Sequence, residues 1–233
     1  MKPGILTVDI GGTSLKAAVI NSKGRLLADA VYRPTPQPCG PALLVDLVSN
    51  MVGPLPAYDR ISIGFPGVVK GRRVMTAPHL YAAEWKNFAL ADALAAQLGH
   101  PAKIANDADM QGFALVSGQG LELAVTLGTG VGTALYRDGE LMPHMELSQH
   151  PIYDGKTYDE YLGAEAFEQI GAAGWNKRLR KALDLLHILL NPDQIFVGGG
   201  NAIKIDLDLS KDVIIGPKEA GLKGGFGLWR TKL

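Results

Sequence analysis

Little in this sequence points to a ready-made class, and each shortage excludes something. A single cysteine, Cys39, stands among 233 residues. That rules out an internal disulfide framework and a zinc site built on several cysteines. Charge of one sign is not in excess either: 23 basic side chains face 23 acidic ones. Net charge therefore argues for neither a nucleic-acid partner nor an anionic membrane surface. No apolar run is long enough to span a bilayer, and "MKPGILTVDIGG" reaches an acid and two glycines too soon for a signal peptide. Low-complexity tracts and Gly/Ser linkers are missing as well. A cytoplasmic protein with small-molecule partners is expected, with Cys39 an incidental loop residue.

What is present is a hydrophobic share of 47% and 29 glycines. Such a chain can bury a sizeable core, as one large domain or two lobes. The stretch "LTVDIGGTSLKAAVI" reads as strand, glycine bend, strand, and "NSKGRLL" turns it into a β-meander. "ELAVTLGTGVGTALYRDGELM" repeats the theme from residue 122, which suggests an internal duplication. Between them the spacing predicts helices in "ALLVDLVSNMV" and "FALADALAAQLG", the latter closed by Gly99, and a buried strand "RISIGF" ending at Pro66-Gly67. "PAKIANDADMQGFALV" reads as a strand, a polar corner and a helix starting near Asp109, with Asp109 as its cap. "KRLRKALDLLHILL" is a helix, "QIFV" a buried strand followed by "GGGN", and "EAGLKGG" opens a glycine-broken helical tail. A lobe boundary is expected near Asp109, as a packed hinge.

Glycine lets backbone N–H groups approach an anion, so a glycine bend between strands can cradle phosphate. Asp9 would be repelled by phosphate unless a divalent cation bridged them, and Thr13 or Lys16 would add contacts to phosphate oxygens. The sequence has no GxxxxGK[ST] loop, and "GTGVGTA" runs into strand residues where a dinucleotide fingerprint needs a helix. Both better-known phosphate loops are thereby disfavoured.

Taken together and in order, "VDIGGTSLKAAVI", "IGFPGVV", "ANDAD", "VTLGTGVGTAL" and "NPDQIFVGGGN" resemble the ROK sugar kinases, and among them the polyphosphate glucokinase branch. The resemblance runs from about residue 5 to the C-terminus. It implies an α/β, actin-like (ribonuclease H-like) two-lobed fold with duplicated glycine-bent β-hairpins. It also implies a small lobe over residues 1–108 and a larger one over 109–233, the C-terminal helix packing back on the first, with sugar and donor bound at the interlobe cleft. The implied reaction is phosphoryl transfer from ATP or polyphosphate to a hexose hydroxyl, with Mg²⁺.

By the same resemblance Asp107 is the general base, and Gly67, Asn106, Asp107, Glu146 and His150 contact the sugar. Asp9, Gly11, Gly12, Thr13 and Lys16 form one phosphate cradle, Asp9 standing near the magnesium. Gly128, Thr129, Gly130 and Gly132 form the other, while Gly198, Gly199, Gly200 and Asn201 approach the nucleoside. The chain departs from the family's Asn-Thr-Glu-x-Gly-His stretch: "HMELSQH" keeps Glu146 but sets Ser148 and Gln149 where one glycine is expected before His150. That leaves glucose open against a non-glucose hexose or an amino sugar, and leaves a non-catalytic sugar sensor as the alternative from another class. His79 and His144 are read as loop residues, and "YDGKTYDEYLGAE" as a solvated helix start. No zinc is expected, since no cysteine follows His150. Nor is a DNA-binding repressor, since the hairpin lies close to Met1. A homodimer is what the family suggests. Lys177, Arg178, Arg180 and Lys181 on one helix, with Arg72 and Arg73, are candidate guides for a polyphosphate chain.

Overall fold

The computed structural model describes residues 3–217 and 219–230. It divides into two compact units, one of residues up to Ala114 with those from Gly221 onward, the other of Leu115–Ala220.

The first unit is built on β1 (Gly4–Ile10), β2 (Ser14–Ile20), β3 (Val31–Pro34), α1 (Pro41–Met51), β4 (Tyr58–Phe65), the small hairpin β5 (Val69–Lys70) and β6 (Arg73–Val74), α2 (Leu90–Leu98), β7 (Ala102–Asn106) and α3 (Asp107–Gly112). Its sheet has the order β3-β2-β1-β4-β7, with the first three strands antiparallel and β1, β4 and β7 parallel. All seven residues of β1 are buried, as a central strand covered on both faces requires. Leu6, Val8 and Ile10 join a core with Leu44 and Val48 of α1 and Leu90 and Leu94 of α2. Their spacing in each helix explains why: residues three or four apart share one face. Pro41 opens α1 at a position where no N–H is needed, and Gly99 closes α2 at φ +73°.

Thr7 and Asp9 alternate to the other face of β1, which the C-terminal segment covers. That segment is a short helix, Ala220–Lys223, running into a 3₁₀ stretch, Gly224–Trp229. Its glycines are seats rather than hinges. A Cβ on Gly221 would meet the Asp9 carboxylate, on Gly224 the Met110 carbonyl, on Gly225 the Thr7 side chain and on Gly227 the Phe113 ring. Ser62 Oγ donates to the Gly225 carbonyl at 2.7 Å, and Trp229 Nε1 donates to Ser62 Oγ at 2.9 Å. Gly225→Ala is expected to destabilise the protein by about 1–3 kcal/mol through overpacking, read as a lower denaturant midpoint. An unchanged midpoint would mean that the segment is not held this closely.

The second unit contains β8 (Leu121–Leu127), β9 (Val131–Arg137), β10 (Glu140–Leu141), the hairpin β11 (Pro151–Tyr153) and β12 (Lys156–Thr157), α4 (Tyr158–Leu162), α5 (Ala164–Leu190), β13 (Gln194–Gly198) and β14 (Val213–Ile215). Its sheet order is β10-β9-β8-β13-β14, with the same directions as in the first: three antiparallel strands, then two parallel to β8. The duplication read from the glycine bends is therefore a duplication of the whole sheet. Its core joins Leu123, Val125 and Val197 to Trp175, Leu179 and Leu183 of α5. Gly171, at φ +70°, interrupts that helix. Among the described residues no helix is long and apolar enough to cross a membrane.

Candidate active site

Because β1, β4 and β7 are parallel, the bends after Ile10, Phe65 and Asn106 lie along one edge of the first sheet, the edge where open α/β sheets bind ligands. The first bend is tied down from its carbonyl side: Thr35 Oγ1 donates to Gly11 O at 2.8 Å, and Gln37 Nε2 donates to Gly12 O. Gly11 N–H closes the turn on the Ser14 carbonyl at 3.0 Å. Neither Gly11 nor Gly12 has a positive φ. What demands glycine here is room, since a Cβ on Gly12 would press on His79 at 2.8 Å. His79, read as a loop residue, is thus the wall behind this bend.

Asp9 and Lys16 are register partners across β1 and β2, so their side chains share a face and meet at 3.1 Å. The Asp9 charge, working against burial, holds the Lys16 ammonium above the ordinary lysine range, with smaller contributions from Tyr32 and Asp107. A raised lysine contributes fully below its unfolded value and loses that contribution only as pH climbs through the raised one, so the pair persists at neutral pH. Among the described residues no group of three or more His, Cys, Asp or Glu could hold a metal. One carboxylate with Lys16 against it fits a magnesium ion held mainly by phosphate and water.

The sequence placed the cap of α3 at Asp109; the structure places it at Asn106. Asn106 Oδ1 accepts the N–H groups of Ala108 and Asp109 at 2.8 and 3.4 Å, so α3 starts at Asp107. A cap must stand ahead of the first turn to reach its orphan N–H groups, and Asp109 is inside that turn. The other end of the Asn106 amide donates to the Gly67 carbonyl at 3.2 Å. Asp107 is half-buried at the first helical position, with Oδ1 accepting the Ala108 N–H at 2.9 Å. Trp85 lies in the core of this unit at 1% exposure, donating to the Cys39 carbonyl and packed on Phe65 and Phe88. Cys39 is in the loop between β3 and α1, as expected, and is buried there.

In the second unit the bend Gly128–Gly130 follows β8, and Gly199–Asn201 follows the parallel strand β13, at the same edge of that sheet. Asn201 Nδ2 donates to Gly128 O at 2.8 Å, and Ala164 N–H to Thr129 O at 2.9 Å. Gly199, at φ +88°, runs so close to the Leu127 backbone that no side chain fits. Gly132 lies on β9, opposite Thr126. The bend's principal anchor was not anticipated: Asp159 Oδ1 accepts the Val131 N–H at 2.6 Å and sits against Gly130. The stretch read as a solvated helix start is in fact a capped helix, α4, with a Thr157–Glu160 capping box and buried Tyr158 and Tyr161.

Glu146 is likewise embedded in partners. Ser148 Oγ donates to Oε1 at 2.6 Å, and His144 Nε2 lies 3.5 Å from Oε2. His144 is therefore a neighbour of the candidate sugar carboxylate rather than a bystander. His150 is exposed and engaged through its backbone, its N–H on the Leu147 carbonyl and its own carbonyl accepting from Tyr158. Most candidate polyphosphate guides are occupied. Arg178 lies over Tyr161, Lys181 over Tyr153, Arg72 pairs with Asp92, and Arg73 and Arg180 donate to backbone carbonyls.

The sequence model of the ROK family matches residues 5–145. Polyphosphate glucokinases from Mycobacterium leprae and Mycobacterium tuberculosis are 28% identical over 209 residues, 85% of this chain. The matched stretch spans 64% of the M. leprae relative and 78% of the M. tuberculosis one. Among solved structures, the inorganic polyphosphate/ATP-glucomannokinase from Arthrobacter sp. strain KM superposes with a TM-score of 0.87 at 29% identity, covering 97% of each chain.

Proposed function

This chain belongs to the ROK family, and from that premise we propose that it is a sugar kinase, moving a phosphoryl group from ATP or inorganic polyphosphate to a hexose hydroxyl. The observation that carries the reading lies in the first unit. Base, cation and glycine bend share one sheet edge, and Asp107 is near enough to Lys16 for its charge to help hold the ammonium protonated. Phosphoryl transfer asks for little covalent chemistry from the protein and much positioning and charge compensation. Asp107 accepts the hydroxyl proton while Asn106, locked by its cap bonds and by Gly67, orients the acceptor. Gly11, Gly12 and Thr13 offer backbone to the donor, and Lys16 offsets phosphate charge once a donor competes for it with Asp9. When bound, Mg²⁺ would offset charge on the transferring phosphates, and Asp9 is the carboxylate we assign to it. In the second unit, Gly128, Thr129, Gly130 and Gly132 supply further donor contacts, Gly199 and Gly200 border them, and Glu146 and His150 address the sugar hydroxyls. The family resemblance alone supports a cytoplasmic homodimer.

The test is phosphoryl transfer from ATP and, separately, from polyphosphate to a panel of hexoses and amino sugars. Transfer to at least one sugar is expected; silence from folded protein across the panel would favour a non-catalytic sugar sensor. In the active combination Lys16→Met should raise the KM for the donor about tenfold, the loss of one charge-assisted contact of about 1.5 kcal/mol. The KM for the sugar should stay near its original value. A donor KM unchanged by Lys16→Met would remove Lys16 from the phosphate cradle.

A further inference from the structure

The two residues by which "ELSQH" departs from the family pattern have an unbroken set of hydrogen bonds. Ser148 Oγ donates to Glu146 Oε1 at 2.6 Å and accepts from Gln149 Nε2 at 3.3 Å. The same Gln149 nitrogen donates to Asp159 Oδ2 at 3.0 Å, and Asp159 Oδ1 accepts the Val131 N–H at 2.6 Å, where β9 leaves the second glycine bend. We infer that Gln149 is a positioning residue that links the candidate sugar carboxylate, Glu146, to the candidate donor bend at Gly130. The inference rests on the sugar kinase reading for what Glu146 and the bend do, though not for the existence of the link.

The chemistry of each group explains why glutamine suits the place. A hydroxyl carries one hydrogen and turns to suit its neighbours. With Gln149 donating to it, the Ser148 hydroxyl must aim its own hydrogen elsewhere, and Glu146 Oε1 is the acceptor at hand. An amide nitrogen has two hydrogens and can donate to a hydroxyl and a carboxylate together, whereas a carboxylate at the same place could donate to neither, would compete with Glu146 for the Ser148 hydrogen and would repel Asp159. The ends of the link are fixed. Ser148 is 2% exposed, and Asp159 stands in the first turn of α4, set by the Thr157–Glu160 capping box. A Cβ at position 130 would lie 2.6 Å from Asp159 Oδ1, so the carboxylate packs where only glycine leaves room for it. A shift of the bend is therefore transmitted to Glu146, and the reverse, through one hydrogen-bonded path in which Gln149 donates to both arms and the Val131 N–H closes the far end on Asp159.

The link can be read without any assay of turnover. In the ¹⁵N-labelled full chain, Glu146→Gln is expected to move the Gly130 and Val131 amide resonances. In a Gln149→Glu background, close in shape but with the donor removed, the same change should leave them in place. If Glu146→Gln has no effect at those amides, or the same effect in both backgrounds, the link does not exist. In the active sugar and donor combination, Gln149→Glu should lower kcat about tenfold while the KM for the sugar changes by less than about threefold, as misplacement without lost contact predicts. A wild-type kcat in Gln149→Glu, with the amide response gone, would overturn the positioning role. A wild-type chain that transfers to no sugar from either donor overturns the kinase reading instead, and the amide result still decides the link.

Discussion

Asp107→Asn is expected to lower kcat by about 10²–10⁴-fold, the range a positioned general base supplies, with the fold intact. The exchange is mild structurally. Asn106, not Asp107, caps α3 through the Ala108 and Asp109 N–H groups, and an asparagine at 107 keeps an oxygen where Oδ1 accepts the Ala108 N–H at 2.9 Å. What disappears is the basic oxygen and its negative charge, which also bears on Lys16. If the base reading holds, the loss falls on kcat and kcat/KM together, because proton transfer belongs to the transition state, and the KM for the sugar moves little. Kinetics on both substrates with a melting curve on the same preparation is the check. A kcat within threefold of wild type, in protein that still melts normally, would move the proton acceptor elsewhere.

The second large effect is on stability, at a residue no motif singles out. Glu122 is fully buried at the start of β8, and its carboxylate accepts four hydrogens. Oε1 takes the N–H and hydroxyl of Ser117, both at 2.7 Å, and Oε2 the N–H groups of Gly118 and Gln119 at 2.8 and 3.2 Å. A buried carboxylate is tolerated only when so satisfied, and here one side chain folds the whole turn that precedes the strand. Glu122→Gln keeps the shape but turns an amide N–H₂ toward donors and removes the charge. A loss of about 2–5 kcal/mol is expected, on the scale of one or two bonds to a charged acceptor. For a chain of this size that is a fall in Tm of about 5–15 °C. The exposed Glu140→Gln serves as the control and should shift Tm by about a degree or less, in keeping with surface substitutions. A Glu122→Gln melt that overlays the control would mean that the turn holds without it.

Strands, helices and bends were legible because each is written over a few neighbouring residues. "GILTVDI" and "SLKAAVI" flank two glycines, Gly99 follows an amphipathic run, and "QIFV" precedes "GGG", so period and turn chemistry were enough. Asp9 opposite Lys16 also follows locally, since a two-strand register fixes which side chains meet. The cap of α3 was misplaced by three positions because Asn106, Asp107 and Asp109 are all good caps, and only the backbone path decides which one precedes the first turn. The burial of Trp85 was not legible for a related reason: an aromatic between regular elements carries no mark of burial in its own neighbourhood.

The partners of the bends were not legible at all. Thr35, Gln37, Asp159 and Asn201 reach the glycine turns from separate stretches of the chain. The C-terminal glycines look like helix breakers in sequence, yet Gly225 is required by contact with Thr7 and accepts a bond from Ser62, 163 positions away. The sequence by itself determined two copies of one strand–bend–strand motif, each with a glycine bend, and a carboxylate at the end of a further strand. Only the tertiary structure decided which side chains hold those bends, which residue caps the helix carrying Asp107, and that Glu146 is bonded toward the second bend through Ser148 and Gln149. The physical reason is range: periodicity and turn preference act over a few residues, while hydrogen-bond satisfaction and close packing are settled by whichever distant groups the fold brings within about 3 Å.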